Sequence, residues 1–227
     1  MKRSFKLGAM AVACAAGVMV SAGAANFTSS ADRLHEVGLF QGTGMTASGA
    51  PQYDLDRAPT RAEAAVMLVR LLGKEADAKA LTYTAPFTDL EGWEAPYVQY
   101  LYDNKLTTGA TATTFEPKAK CSAQMYTTFL LRSLGYSDAQ NGDFAYTGAL
   151  DFAADHVGLI DESFCDTNNF LRDNVAAMSL EALATPVKAT DITLLDKLIA
   201  DGAIDQIKAA PLSQFIDLAE SYNKAVS

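Results

Sequence analysis

The sequence predicts an all-α, mainly helical fold, and three observations support this prediction. One stretch, from Pro59 to Gly73, contains the start, the apolar face and the stop of a complete helix. The same pattern returns twice along the chain, each time after a shorter helical stretch and a turn-rich loop, which is typical of an internal repeat. Two amphipathic stretches follow the last repeat. A hydrophobic content of 49% over 227 residues is sufficient for a buried core.

The helix within Pro59 to Gly73 is defined at both ends. Thr60 is placed to be its N-cap, and Glu63 is three residues later, as a capping box requires. Gly73 is placed to end the helix in the left-handed conformation. The apolar stripe between them consists of Val66, Met67, Leu68, Val69 and Leu72. We therefore predict that this helix packs in the core.

Residues 1–25 have the pattern of a secretory signal peptide. A basic start containing Lys2, Arg3 and Lys6 precedes an uncharged apolar run from Leu7 to Val20, and small residues follow at Ala22-Gly23-Ala24. No later segment approaches the roughly 18 uncharged apolar residues of a membrane span. We therefore expect a secreted protein at the cell wall or cell surface, without a membrane span after cleavage.

The charge balance excludes some partners. Without the three basic residues of the first 25, 15 Lys and Arg residues remain against 27 Asp and Glu, a net charge of −12. Such an acidic chain is repelled by polyanions, so we expect neither nucleic acid nor an anionic membrane as a partner.

Two cysteines, Cys121 and Cys165, remain after the predicted cleavage. Export would permit a disulfide bond, but two half-buried thiols explain the residues equally well, and the sequence leaves the choice open. No other ligand stands at a recognisable metal-site spacing, so we expect neither a metal nor a cofactor.

Four segments are predicted after the signal peptide. The first unit, about 27–80, begins with a short helix over 30–40 and ends with the helix at 59–73. The second, about 81–140, has helices near 97–106 and 122–134. The third, about 141–188, has its second helix after Leu171, and without gaps Arg172 aligns with Arg61. A C-terminal cap, 189–227, is predicted to contain two helices, the second one after Pro211.

The motifs of these units resemble those of the S-layer homology family. The resemblance covers about residues 27–188, and it rests on segments found in the family's order: Gly38-Leu39-Phe40-Gln41-Gly42, Thr60-Arg61-Ala62-Glu63, Phe87-Thr88-Asp89, Trp93, Gly109 and Phe115-Glu116-Pro117. The second unit has Cys121-Ser122-Ala123-Gln124 where the family has Thr-Arg-Ala-Glu, and the third has Leu171-Arg172-Asp173-Asn174.

The resemblance implies a fold and a function. The fold would be a pseudo-threefold bundle of three helix-loop-helix units with grooves between them. The function would be non-catalytic anchoring to a secondary polysaccharide of a Gram-positive-type cell wall, an anionic ligand that often carries ketal-linked pyruvate. The departures from the motif leave open how many of the three grooves bind.

Arg61 is the first candidate for contact with such a ligand, and Arg172 is the second. A guanidinium at a helix N-terminus adds a two-pronged donor to the free amides there, although a salt bridge to Asp54 or Asp56 would also explain Arg61. Trp93 could stack on a sugar or plug the core between units. Gly42 and Gly109 permit turns and could also line a groove. Thr60 and Glu63 are assigned to the helix cap.

Two other classes of function remain open. A protein-interaction repeat at the cell surface, with glycan binding lost and other surface-layer proteins as partners, would fit the degenerate motifs. A wall-glycan hydrolase would need two carboxylates in one cleft, and no spacing singles out such a pair. The chain has no Gly-x-Ser-x-Gly and no His-Glu-x-x-His, so we expect no enzyme activity.

Overall fold

The computed structural model describes residues 27–161 and 163–225; the predicted signal peptide at 1–25 lies outside this range. The described helices are α1 Thr28–Glu36, α2 Arg61–Leu71, α3 Glu75–Lys79, α4 Ala95–Asp103, α5 Ala123–Ser133, α6 Ala149–Asp151, α7 Arg172–Ala184, α8 Leu194–Ala200 and α9 Gln206–Ala225. A 3₁₀ turn, Tyr146–Gly148, precedes α6, and a π-helical segment, Phe152–Val157, continues it. None of these helices has the length and apolar character needed to cross a membrane.

The predicted all-α class is confirmed, because 48% of the residues are helical and 4% are in strands. The strands β1, Gly44–Met45, and β2, Pro51–Gln52, form a small antiparallel hairpin in the loop of the first unit, with Gly44 opposite Gln52. The sequence predicts a loop here, since two-residue strands leave no alternating pattern to detect.

The units pack in a ring. The first helix of each unit lies against the second helix of another: α4 packs on α2, α6 on α5 and α1 on α7. The second helices α2, α5 and α7 also contact one another at the centre. The central helix α7 is buried at every one of its 13 positions, as expected of a helix surrounded by others. This arrangement has the pseudo-threefold form that the resemblance implies.

The helix starts follow from their caps. The predicted capping box is confirmed: the Glu63 amide donates to Thr60 Oγ1 at 3.2 Å, and the Thr60 amide donates to Glu63 Oε2 at 2.8 Å. In the second unit Ser122 is the N-cap, since its Oγ accepts from the Met125 amide at 3.2 Å. The four-residue motif of that unit therefore begins at Ser122, one residue later than the sequence alignment placed it.

Loops of one unit also cap the helices of another. The first amides of α2 and α7 donate to loop carbonyl groups, and these groups occupy equivalent positions in the second and first units. The pairs are Arg61 to Ala119 at 2.8 Å, Ala62 to Pro117 at 3.1 Å, Arg172 to Arg57 at 3.0 Å and Asp173 to Leu55 at 3.1 Å. Because these amides have no partner inside their own helix, the caps tie neighbouring units together.

The C-terminal segment packs on the bundle. Helix α9 lies against α1 and α8, and the Arg33 guanidinium sits 3.7 Å from the centre of the Phe215 ring. This helix begins five residues before Pro211, earlier than predicted, because the Asp205 carboxylate accepts from the Lys208 amide and caps its first turn. Pro211 is therefore inside the helix rather than before it.

The thiols of Cys121 and Cys165 are free and buried in the structure. Burial raises the pKa of Cys121 to about 12 and that of Cys165 to about 11. Both groups are therefore protonated and unreactive at neutral pH.

Candidate functional site

An open groove of about 410 Å³ lies where the three units meet. The start of α2 contributes Arg61, the second unit contributes its inter-helix loop and one face of α5, and the third unit contributes Tyr146. The groove is lined by Arg61, Thr107, Thr108, Gly109, Ala110, Glu116, Met125, Thr128, Phe129, Arg132, Asp138 and Tyr146. Its volume is that of a small-molecule site.

Arg61 reaches across the junction from the first unit to the second. Its Nε donates to the Phe115 carbonyl at 2.7 Å, its Nη1 lies 2.9 Å from Met125 Sδ, and its guanidinium carbon is 5.1 Å from the Phe115 ring centre. Within residues 27–161 and 163–225, no carboxylate forms an ion pair with Arg61. Asp54 instead accepts from Thr43 and Gln52, so the alternative of a salt bridge to Asp54 is not realised.

The second arginine of the groove is neutralised. The Arg132 Nε and Nη2 donate to the two oxygens of Asp138 at 2.8 and 2.7 Å, and Nη1 donates to the Leu106 carbonyl at 2.8 Å. Burial alone would raise the pKa of Asp138, but Arg132 holds it below its ordinary value. This pair fixes the groove wall and leaves Arg61 as the arginine with unpaired charge at this site.

The backbone conformation at position 109, beside the groove, requires a glycine. Its φ is +84°, and a Cβ there would come within 2.3 Å of the Phe87 ring and 2.6 Å of the Thr111 carbonyl. A side chain at this position would therefore disrupt the turn. The structure thus brings together two of the candidates from the sequence, Arg61 and Gly109.

Tyr146 is the groove residue that the sequence analysis missed. It lies in the 3₁₀ turn before α6, its side chain is 46% exposed, and its carbonyl accepts from the Gln124 side chain. Burial raises the pKa of its phenol, while the nearby Arg61 charge acts in the opposite direction. No motif or spacing marks this tyrosine, because it reaches the groove from another unit.

Arg172 lies at the equivalent position of the third unit but is only 3% exposed. Its Nε donates to the Tyr53 carbonyl at 2.8 Å, and its guanidinium carbon is 5.6 Å from the Phe40 ring centre. Burial lowers its pKa. In this structure the side chain joins the third unit to the first, away from the open groove.

Trp93 and Gly42 also lie outside the groove. Trp93 is in the loop before α4 and is 60% exposed, so it is not a core plug. A Cβ on Gly42 would come within 2.5 Å of the Gln52 carbonyl, which explains a glycine beside β2. Glu63 is engaged by Arg57, whose Nη2 lies 2.6 Å from Glu63 Oε1, as well as by the helix cap.

The fold and groove define a protein of helix-loop-helix repeats whose junctions form the candidate site. Residues 86–122, the segment that contains Gly109 and the loop facing Arg61, match the family model of the S-layer homology domain. The resemblance predicted from the sequence is thereby confirmed over this segment of the second unit.

The chain is also similar to parts of three larger proteins. An endoglucanase of Bacillus sp. (strain KSM-635) is 28% identical over 109 residues, which cover 43% of this chain and 12% of the relative. A middle cell wall protein of Brevibacillus brevis and a surface layer protein of Brevibacillus choshinensis are each 30% identical over 112 residues, covering 48% of this chain and 10% of the relative. The aligned part is thus about a tenth of each relative's length.

Among the described residues, no three His, Cys, Asp or Glu side chains come together in a way that would hold a metal ion.

Proposed function

We propose that this chain attaches non-covalently to the bacterial cell wall, and that it holds an anionic wall polysaccharide in the Arg61 groove. The observation that carries the proposal is the position of the Arg61 guanidinium at an open groove, without an ion-paired carboxylate among the described residues. The similarity to a middle cell wall protein and a surface layer protein supports a wall-anchoring role at the cell surface. The predicted signal peptide supports secretion.

The groove supplies the interactions that an acidic sugar needs. Two of Arg61's donors are engaged at the Phe115 carbonyl and Met125, and the remaining edge of the planar group suits a carboxylate such as that of a pyruvate ketal. The half-exposed Tyr146 ring offers a flat apolar face for the sugar. Because the protein is acidic overall, attraction of an anion must come from this local charge.

The ion pair on Asp138 also supports a role without catalysis. A glycoside hydrolase of the usual type needs a protonated carboxylic acid with a raised pKa beside a second carboxylate. Arg132 lowers the pKa of Asp138 instead, so this carboxylate is a poor proton donor. The similarity to an endoglucanase extends over only 12% of that enzyme.

The test is co-sedimentation of the secreted form with purified cell-wall sacculi, before and after mild acid extraction of the polysaccharide. We expect binding to intact walls, loss of binding after extraction, and an affinity at least about tenfold lower for Arg61→Ala, since a charge-assisted pair contributes this much or more. Arg61→Lys, which keeps the charge but loses the planar fork, should fall between the two.

A matched control is Lys118→Ala, which removes an exposed cation that pairs with Glu91 outside the groove. This variant should bind walls normally. Equal binding by Arg61→Ala and the parent protein would reject the groove assignment.

A specific observation favours a second candidate function, the binding of another surface protein. Helix α9 exposes Ile207, Leu218 and Tyr222 at 85%, 69% and 56%. Their spacing puts them on one face of the helix. Retained binding to walls stripped of polysaccharide, and its loss on substitution of Leu218 by Glu, would support this function over glycan anchoring.

A further inference from the structure

A second cavity, separate from the Arg61 groove, lies between the π-helical end of the third unit and the segment that follows α7. It has a volume of about 500 Å³. Tyr136, His156 and Gly158 form one side, and residues 185–187 and 189–191 form the other. Its size suits a ligand of one or two sugar rings, and none of the family motifs described above contributes to it.

One wall of this cavity belongs to a cluster of stacked rings near the surface. Phe144 stacks on Phe152 with ring centres 5.2 Å apart, and Phe152 stacks on His156 at 5.1 Å with an interplanar angle of 11°. Tyr136 meets Phe152 edge-on at 5.3 Å. The cluster is only partly buried, and His156 is exposed. The rings at its cavity end, Tyr136 and His156, therefore both contact Phe152.

The π-helical segment Phe152–Val157 produces this arrangement. A π-turn has more residues than an α-turn, so side chains four apart nearly eclipse, as Phe152 and His156 do. The segment ends at Gly158, whose φ of +76° turns the chain along the cavity. Single π-turns of this kind occur frequently at functional sites.

The charges around the cavity select the class of ligand. Among the residues that the structure describes, no lysine or arginine lines it, whereas Asp191 does. The nearest cation in sequence, Lys188, pairs with Asp143 at 2.6 Å, and its Nζ lies over one face of the Tyr136 ring, 5.8 Å from the ring centre. An anionic ligand would meet a carboxylate without a compensating cation, which disfavours it.

We propose that this cavity binds an uncharged sugar residue, with the Tyr136 and His156 rings facing the sugar and the Asp191 carboxylate accepting its hydroxyl groups. Ring faces suit the apolar side of a pyranose, and carboxylate oxygens accept several hydroxyl hydrogen bonds. The site differs in chemistry from the Arg61 groove and does not depend on the function proposed for that groove.

The test is titration of ¹⁵N-labelled protein with cellobiose, maltose and N-acetylglucosamine, with glucuronate as the anionic control, followed by NMR chemical shifts. We expect at least one uncharged sugar to shift the amides of 156–158 and 185–191, and glucuronate not to shift them. Absence of such shifts with all three uncharged sugars at millimolar concentration would overturn the proposal.

Variants separate this site from the Arg61 groove. His156→Ala and Asp191→Asn alter exposed side chains and should leave the fold intact. Each variant should lower the affinity for the uncharged sugar by about three- to tenfold, the range expected for loss of one ring contact or one hydrogen bond. Arg61→Ala should leave this binding unchanged even where wall sedimentation is lost. Unchanged affinity in both cavity variants would reject the assignment.

Discussion

Arg61 and Arg172 occupy the same position in two units but have different surroundings. Each begins the second helix of its unit and extends into a neighbouring unit. The Nε of each donates to a loop carbonyl, that of Phe115 for Arg61 and that of Tyr53 for Arg172, and each guanidinium lies near a phenylalanine ring and a methionine sulphur. Arg172 is nevertheless 3% exposed, whereas Arg61 lines an open groove.

The difference shows that the arginine of the motif has two separable roles. Its contacts to the loop join the units at both junctions. Whether the arginine can also contact a ligand depends on the path of the neighbouring unit's loop. In the first unit the Gln41 carbonyl lies 3.5 Å from Arg172 Nη2, so the loop closes over the side chain. In the second unit, the loop at Gly109 lines an open groove together with Arg61.

The junction between the second and third units has no arginine at the corresponding position. Ala123 occupies the corresponding position after the Ser122 cap. Tyr126, which is fully buried, hydrogen-bonds Ser179 of α7 at 2.7 Å, and its ring centre is 6.3 Å from that of Phe170. A hydrogen bond between Tyr126 and Ser179 thus joins these units in place of a guanidinium.

The largest effect is expected from removing the buried arginine. Arg172→Ala should lower the free energy of unfolding by about 3 kcal/mol, since it leaves a cavity and an unpaired Tyr53 carbonyl. Arg61→Ala should cost about 1 kcal/mol or less, because Arg61 is only half-buried at an open groove and its removal leaves no enclosed cavity. Urea unfolding of both variants measures the contrast. Equal losses would mean that the two arginines contribute alike to stability.

A second effect concerns Asp173, next to Arg172. This buried carboxylate accepts from the Phe27 amide at 2.8 Å, and burial raises its pKa to about 6 from 3.8. The folded state therefore keeps the proton between these values while the unfolded state loses it, so stability falls as the pH rises from about 4 to about 6.

Asp173→Asn should remove this pH dependence. A pKa shift of this size corresponds to about 3 kcal/mol of stability. We expect Asp173→Asn to raise the free energy of unfolding at pH 7 by somewhat less, about 2 kcal/mol, because a neutral amide is a weaker acceptor for the Phe27 amide than a carboxylate. Thermal unfolding of the two proteins at pH 4 and pH 7 is the measurement. A difference between them that stays constant across this range would contradict the assignment.

The smallest effect is expected at the junction without arginine. Tyr126→Phe keeps the ring but removes the hydroxyl that bonds Ser179, and it should cost about 1 kcal/mol. Ser179→Ala should cost a similar amount, and the double variant should cost little more than either single one. Additive losses in urea unfolding would show that this hydrogen bond does not couple the two helices.

Much of the fold could be predicted because its signals are local. Thr60 and Glu63 form the expected cap, and Gly73 and Gly135 have the positive φ expected where α2 and α5 end. The one-residue error in the second unit arose because Cys121 and Ser122 both precede the helix, and only the Met125 contact shows which one caps it. The start of α9 was misplaced because the Asp205 cap outweighs the helix-breaking tendency of Pro211.

The sequence by itself determined the helices, their caps, the repeat and the resemblance to the S-layer homology family, since all of these depend on residues close together in the chain. The tertiary structure decided which arginine faces a groove, and it placed Tyr146 of the third unit beside Arg61 of the first. Burial and proximity arise from contacts between residues more than 100 positions apart, such as Arg172 and Met67, and no local pattern encodes them.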